Sequence, residues 1–435
     1  MISNLALAPT RVRLLSTRAL ARLGFRDNSF LIVLAVLIGI VTAAAAVTFH
    51  ELIDWTRNLL YLKFGFERLY GKYMIMLIVW PAVGGLVVGL ISRYLFRARE
   101  GHGIVDVMES VIRSSGFIKP LVAIEKIITS GITIGTGGSA GAEGPIVQIG
   151  AAIASGTGQA FRVSRQQMTI LIACGAAAGI SAIFNTPMGG LLFALEVILQ
   201  DFSLANMTPV VVASVIANVA TKAIFRLVMK SDYKAIFAFS SSHEFTIDWL
   251  QIQNFILLGV VCGIIGVSMT RLMDWSERKF HELRTPAYLR PAIGGALLGC
   301  VGILYVFLFA RMRHLLKPVP FDVYPAPVFY GDGYGFIIRL LDPSFYRQPG
   351  IEHLFLFLAF LIIAKIVGTC LTLGSGGSGG IIAPSLFLGA VAGGALGEAM
   401  KIIGWFDVTQ VHPEAYALVG MGAVLAAIVH APLAS

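Results

Sequence analysis

The sequence predicts an all-α polytopic membrane protein, and three observations carry that class. Of the 435 residues, 57% are apolar and a further 47 are glycine, so roughly two thirds of the chain is non-polar against about half in soluble domains. Charged residues make up 13%, roughly half the usual quarter, too few to cover a water-facing surface of this size. Apolar runs long enough to cross ~30 Å of hydrocarbon recur along the chain, and part of the pattern occurs twice.

The elements follow in order. Residues 1–28 hold Arg11, Arg13, Arg18, Arg22 and Arg26 with leucines between them and no acid before Asp27, a basic amphipathic segment expected on the cytoplasmic membrane surface. It lacks a long apolar core followed by a small-residue cleavage site, so it does not read as a removable signal peptide. Uncharged runs then span Ser29 to Phe49, Tyr73 to Ser92, Met168 to Leu195, Gln251 to Thr270, Pro291 to Ala310, Ile366 to Gly397 and Ala415 to Ser435, with shorter pieces at Met207 to Thr221 and Leu354 to Ala364. A dozen or more helices fit. Met168 to Leu195 and Ile366 to Gly397 contain glycine clusters and internal prolines, so each is expected to be two half-helices meeting at membrane depth, which is tolerated only in a buried place or along an aqueous cavity.

The formal charge of +9 comes from 33 basic and 24 acidic residues. Basic residues gather on the flanks of apolar spans, at the chain start and again at Arg93, Arg97 and Arg99, as the positive-inside rule expects; no basic patch interleaved with aromatics suggests nucleic acid as a partner. Cys174, Cys262, Cys300 and Cys370 all lie in apolar stretches without CxxC or Cys/His spacing and are expected to be buried structural thiols. No metal site is expected.

Self-comparison gives a duplication. Residues 135–145 align with residues 374–384 at a distance of 239, each copy ending in a proline (Pro145, Pro384) with a glycine five residues on (Gly150, Gly389). Gly101-His102-Gly103 matches Gly331-Asp332-Gly333, and the stretch from Gly175 to Pro187 matches that from Gly420 to Pro432. The halves are placed at 29–228 and 229–435. Transporters are commonly built this way, with the binding site at the repeat interface.

Between Ile127 and Phe161 there is one charge, Glu143. A carboxylate at the bilayer centre costs about 2.5 to 3.5 kcal/mol on insertion scales, so it needs a reason. It is either a buried glutamate satisfied by backbone amides or a titratable gate in a pore, whose proton affinity would be raised by desolvation and by a nearby anion. Both glycine-rich stretches end where helices begin, and a helix start offers unpaired N–H groups and a positive dipole end, enough to hold an anion. The same glycines could instead serve only close helix packing. No Lys-Ser/Thr follows either cluster, so neither is a phosphate loop.

These residues resemble a family. Gly141-Ala142-Glu143-Gly144-Pro145, followed by Val147-Gln148-Ile149-Gly150, is similar to the gating-glutamate motif of the CLC chloride channels and transporters. Gly101-His102-Gly103-Ile104-Val105 resembles that family's first anion-binding loop and Gly380-Ile381-Ile382-Ala383-Pro384 its third; Phe184-Asn185-Thr186-Pro187 and Gly331-Asp332-Gly333-Tyr334 fit as well. The resemblance runs in order from about Ser29. It implies inverted repeats of tilted, broken helices, a homodimer with one pore per subunit, chloride as the transported ligand and no cofactor. Glu143 would occupy an anion site when deprotonated and swing away when protonated or displaced. The backbone amides of Ala142, Gly144, Ile381 and Ile382 would face the anion, with His102, Gly103 and Ile104 forming the first loop.

Three departures qualify what the resemblance implies. His102 and Val105 stand where the anion loop commonly has a serine and a proline; the imidazole either donates to the anion, more strongly when protonated, or points away. Val197 stands where exchangers of the family carry an inner glutamate, which favours channel-like passive conduction over chloride/proton antiport. Glu196 lies about 100° around the helix and reads as a structural partner, whereas Asp201, four residues on from Val197, shares its helix face and is a candidate substitute; in an exchanger Asp201, Glu196 or water would carry the inner proton. Finally, the sequence stops shortly after Ala431-Pro432-Leu433, where the family continues with two more helices, the last supplying a pore tyrosine, so the second repeat is expected to be truncated, and no cytoplasmic nucleotide-binding tail is expected. An enzyme is not expected, for want of a catalytic constellation. A membrane-anchored binding protein is argued against by the duplicated motifs at depth. The expected setting is the inner membrane of a prokaryote, N-terminus cytoplasmic, with lipid, small anions and a second copy as partners.

Overall fold

The computed structural model describes residues 28–63, 68–69, 71–96, 103–231, 233, 237, 249–309, 326–347, 354–403 and 411–435. The basic segment up to Asp27, Arg97, Arg99, Gly101 and His102 lie outside the described residues.

Fourteen α-helices and no β-strand occur among the described residues. In the first half they are α1 (Asn28–Arg57), α2 (Met76–Leu90), α3 (Ile104–Arg113), α4 (Leu121–Gly135), α5 (Glu143–Phe161), α6 (Arg165–Phe184), α7 (Pro187–Phe193) and α8 (Leu204–Ile224). The second half holds α9 (Trp249–Glu282), α10 (Arg290–Phe309), α11 (Tyr334–Leu340), α12 (Leu354–Gly374), α13 (Ile382–Ile403) and α14 (Pro413–Val429). Among the described residues, eight helical stretches are long and apolar enough to cross a membrane.

Burial sorts them. The apolar windows of α6 and α13 are 83% and 89% buried, while those of α2 and α9 are 28% buried, so among the candidate spans α6 and α13, one from each half, lie deepest and α2 and α9 lie on the rim. Along α9, Ile256, Val260, Ile264 and Val267 face outward. That continuous apolar surface suits lipid and would drive association in water.

Both broken segments are broken as expected. α6 starts on a capping box: the Gln167 N–H donates to Ser164 Oγ at 3.3 Å and the Ser164 N–H donates to Gln167 Oε1 at 3.1 Å. It ends at Asn185, in the left-handed region at φ +56°, after which Thr186 caps α7 and Pro187 takes its first position. The second break separates α12 from α13.

The halves run in opposite directions. A Cβ built on Gly85 would lie 2.2 Å from the Pro291 carbonyl oxygen, and one on Gly295 would lie 2.2 Å from that of Pro81. Gly89 meets Tyr288 and Gly299 meets Ile78 in the same way. Residues 210 apart therefore exchange contacts, and α2 lies antiparallel on α10. Within each half a second interlock recurs: Gly150 and Gly175 approach each other's carbonyls so closely that a Cβ on either would sit at 2.1 Å, and Gly389 and Gly420 do so at 2.1 and 2.2 Å. Small residues give membrane helices this closeness, and dispersion contacts between backbones follow from it.

Two expectations need correction. Cys174, Cys262 and Cys370 are buried, but Cys300 is exposed, because α10 turns that side away from its packing against α2. The apolar run from Ala415 to Ser435 is not one helix: α14 stops at Val429, where His430 takes a left-handed conformation at φ +57° ahead of Pro432, which cannot continue a helix.

Candidate functional site

The site begins with two crossing loops. After α4 the chain runs through Thr136 to Gly141, and after α12 through Ser375 to Gly380, and each loop is fastened to the other half. The Ser139 N–H donates to Thr372 Oγ1 at 3.0 Å, and the Ser378 N–H donates to Thr133 Oγ1 at 3.3 Å. The Ser139 and Thr369 hydroxyls lie 3.1 Å apart, and those of Ser130 and Ser378 lie 2.8 Å apart. Each bond has its counterpart 239 residues away. At the crossing, Gly141 and Gly380 exchange two N–H···O bonds of 2.8 Å, an isolated antiparallel bridge.

From this crossing α5 and α13 start side by side, their positive dipole ends converging. Glu143 is the first residue of α5 and is fully buried. Its Oε2 accepts the Ala383 N–H at 3.2 Å, and its Oε1 accepts the Tyr334 hydroxyl. Hydrogen bonds to a charged group are worth about 1.5 to 3 kcal/mol each, so two of them offset the insertion cost of the carboxylate, with the helix dipole adding to them.

The expected anion-facing residues gather here. Ala142 is the N-cap of α5. A Cβ on Gly144 would lie 2.8 Å from Gly380 Cα, and Ile381 and Ile382 lead into α13 beside it. Gly103 caps α3 at φ +62°, where only glycine is unstrained, and a Cβ there would touch the Gly144 carbonyl at 3.0 Å, which brings Gly103 and the start of α3 against the start of α5. Gly333 caps α11 at φ +79° in the matching role.

Sequence reasoning missed four residues around Glu143: Tyr334 as its donor, Lys365, and the pair of Arg57 and Asp332. Tyr334 opens α11 and its N–H donates to Asp332 Oδ1 at 3.2 Å. Asp332 pairs with Arg57, from the last turn of α1, at 2.5 Å. Lys365, fully buried in α12, donates to the Gly331 carbonyl at 2.8 Å and the Phe329 carbonyl at 3.1 Å, with its ammonium 5.1 Å from the centre of the Phe387 ring. Lys126 and Lys365 are 239 residues apart, each 17 residues before a helix-starting position, Glu143 or Ile382, so extending the self-comparison would have found them. A cavity of about 210 Å³ opens beside this cluster, lined by His50, Asp54 and Arg57 of α1, by Asp332 and Tyr334, and by Ala142. Among the described residues no group of three His, Cys, Asp or Glu could hold a metal.

The expected inner proton residues are elsewhere. Val197 is buried in a π-helical turn, Ala194–Leu199, that continues α7. Glu196 accepts the Leu433 and Ala434 N–H groups at 3.1 and 2.7 Å, a structural partner as expected. The placement of Asp201 on the Val197 face is corrected: Gln200 turns left-handed at φ +53°, the helix ends, and Asp201 leaves its helical register. Asp201 is exposed, where the Ser203 N–H (2.9 Å), the Ser203 hydroxyl and the Asn206 amide hold its carboxyl below the usual aspartate range.

A family model described as voltage gated chloride channel matches residues 84–435. A ClcB-like chloride channel protein of Ralstonia nicotianae is 30% identical over 359 residues, which are 82% of this chain and 75% of that one. Chloride channel protein CLC-f of Arabidopsis thaliana is 28% identical over 396 residues, 85% of this chain but 44% of the plant protein. Among solved structures, a slow cyanobacterial Cl−/H+ antiporter shares the fold, with a TM-score of 0.74 at 21% identity over 94% of this chain and 88% of that one.

Proposed function

Because the chain belongs to the voltage gated chloride channel family, an integral membrane family of anion transport, we propose that it conducts chloride passively through a pore gated by Glu143. The observation that carries the reading is the lone buried carboxylate at two converging helix starts, accepting the Ala383 N–H where an anion would be held. Deprotonated, Glu143 fills the anion's place; protonated or displaced, it leaves that place to chloride. The amides of Ala142, Gly144, Ile381 and Ile382, with Gly103, Ile104 and His102 of the first loop, complete the anion's surroundings.

Val197 supports conduction over exchange, because the position offers no inner proton acceptor and neither neighbour replaces it: Glu196 is committed to the amides of Leu433 and Ala434, and Asp201 has left the helix. The second reading, chloride/proton antiport, is favoured by one observation, the structural neighbour described as a Cl−/H+ antiporter. The halves, 29–228 and 229–435, are read as the two repeats, the molecule as a homodimer with a pore in each subunit, and its place as a prokaryotic inner membrane with the N-terminus in the cytoplasm.

Reconstituted in liposomes under a chloride gradient with pH followed on both sides, the protein should carry chloride without stoichiometric proton movement; uphill proton flux would sink the channel reading in favour of exchange. Glu143→Ala should keep anion flux and remove its pH dependence. Steep pH gating that survives the substitution would shift suspicion to His102.

A further inference from the structure

The cavity beside α1 ends at a phenol. Tyr334 lines the cavity while Glu143, behind it, is fully buried, and the Tyr334 hydroxyl bridges the two by donating to Glu143 Oε1. The ring meets Phe184 edge-on at 6.2 Å and Phe237 edge-on at 5.4 Å, and the backbone N–H of the same residue is fixed on Asp332. Aromatic edge contacts of this kind hold a ring's orientation. The hydroxyl is thus aimed by the start of α11 at the place where the Ala383 N–H arrives from α13. Ile104, which follows Gly103 as Tyr334 follows Gly333, offers no such donor.

A carboxylate only accepts, so the phenol donates. Once the carboxylate withdraws, the hydroxyl needs another acceptor, since a polar group left unpaired costs about 1 to 3 kcal/mol. A small anion arriving at the Ala383 amide is such an acceptor. We infer that Tyr334 supplies the side-chain hydroxyl of the anion site: Glu143 borrows this donor in the closed gate, and a halide-sized anion takes over the Tyr334 O–H together with the Ala383 N–H in the open one. The inference rests on the gating role proposed for Glu143.

The test is chloride binding by titration calorimetry to the purified full chain in detergent, in the Glu143→Ala background with and without Tyr334→Phe. Glu143→Ala frees the place for chloride, and removing the hydroxyl should then weaken binding about 10-fold or more, the equivalent of one charge-assisted hydrogen bond. Equal affinity in the two variants would overturn the role of Tyr334 and leave the gate standing. No chloride binding by Glu143→Ala alone would overturn the gating reading itself. Phenylalanine keeps the ring and its edge contacts, and equal melting temperatures without chloride separate a lost donor from a lost fold; Tyr334→Leu serves if the first variant does not fold. With Glu143 in place, Tyr334→Phe should raise anion efflux at neutral pH, because the carboxylate loses one of its two donors; a purely structural tyrosine would leave that rate unmoved.

Discussion

Glu143 heads α5, and 239 residues on Ile382 heads α13 from an equivalent backbone position. The contrast continues through the loops that meet them, where Ile104 follows Gly103 in the first half and Tyr334 follows Gly333 in the second. Lys126 and Lys365, by contrast, match, and both are buried. The frame is therefore repeated and the chemistry is not. The crossed hydrogen bonds use serines and threonines that stand at matching places in both halves, and the close glycine contacts need only the absence of a side chain, so both recur in the two copies. The acid comes from one half, and the hydroxyl, the Ala383 amide and the buried ammonium of Lys365 come from the other, so neither half holds a site by itself.

Four substitutions test this contrast. The largest effect is expected from the shared frame. Gly150→Val and Gly389→Val each push a side chain into a carbonyl that now sits within 2.1 Å of where a Cβ would lie, and overpacking already costs about 1 to 3 kcal/mol where a core can yield. Backbone cannot yield as a side chain does, so both variants should lose the monodisperse peak in size-exclusion chromatography. A variant that folds in one half only would break the equivalence of the two interlocks.

A smaller effect is expected at Lys365→Met, which leaves the Phe329 and Gly331 carbonyls without their charged donor and removes a buried cation near Asp332. Stability should fall by about 2 kcal/mol, read as a lower melting temperature in detergent. An unchanged melting temperature would mean that the ammonium is dispensable to the frame.

The smallest effect is expected at Asp201→Asn. Its carboxyl is held below the usual aspartate range by the Ser203 N–H, so its stabilisation is full at neutral pH and is lost as pH falls through the lowered value. The variant should melt slightly below the wild type at neutral pH, and the gap should close in acid. Chloride flux and its pH dependence should not change; a flux change would return Asp201 to the transport path.

Much of the fold was legible because periodicity, prolines and glycine clusters are local. The break after Phe184 and the helix starts at Glu143 and Ile382 were read from short motifs, and the isolation of Glu143 among apolar residues marked it without any structure. Tyr334 escaped because its contact with Glu143 spans 191 residues and depends on where packing against α13 and α14 sets the start of α11. The Arg57 and Asp332 pair, 275 residues apart, escaped for the same reason. Asp201 was misplaced because neither glycine nor proline marks the end of that helix: Gln200, a residue that seldom takes a left-handed conformation, makes the turn.

The bridge between Gly141 and Gly380 also bears on how the molecule is made. Glu143 leaves the ribosome 240 residues before Ala383, which at about 5 to 20 residues per second is a wait of roughly ten to fifty seconds. Until Tyr334 is made, 191 residues after Glu143, the nascent chain has neither of the two donors that later hold its carboxylate, and until Ala383 it has one of them. Water, the insertion machinery or a bound proton must shelter Glu143 until the second half arrives, so cells that slow elongation between the halves would lengthen the one stage at which this chain is most exposed to quality control.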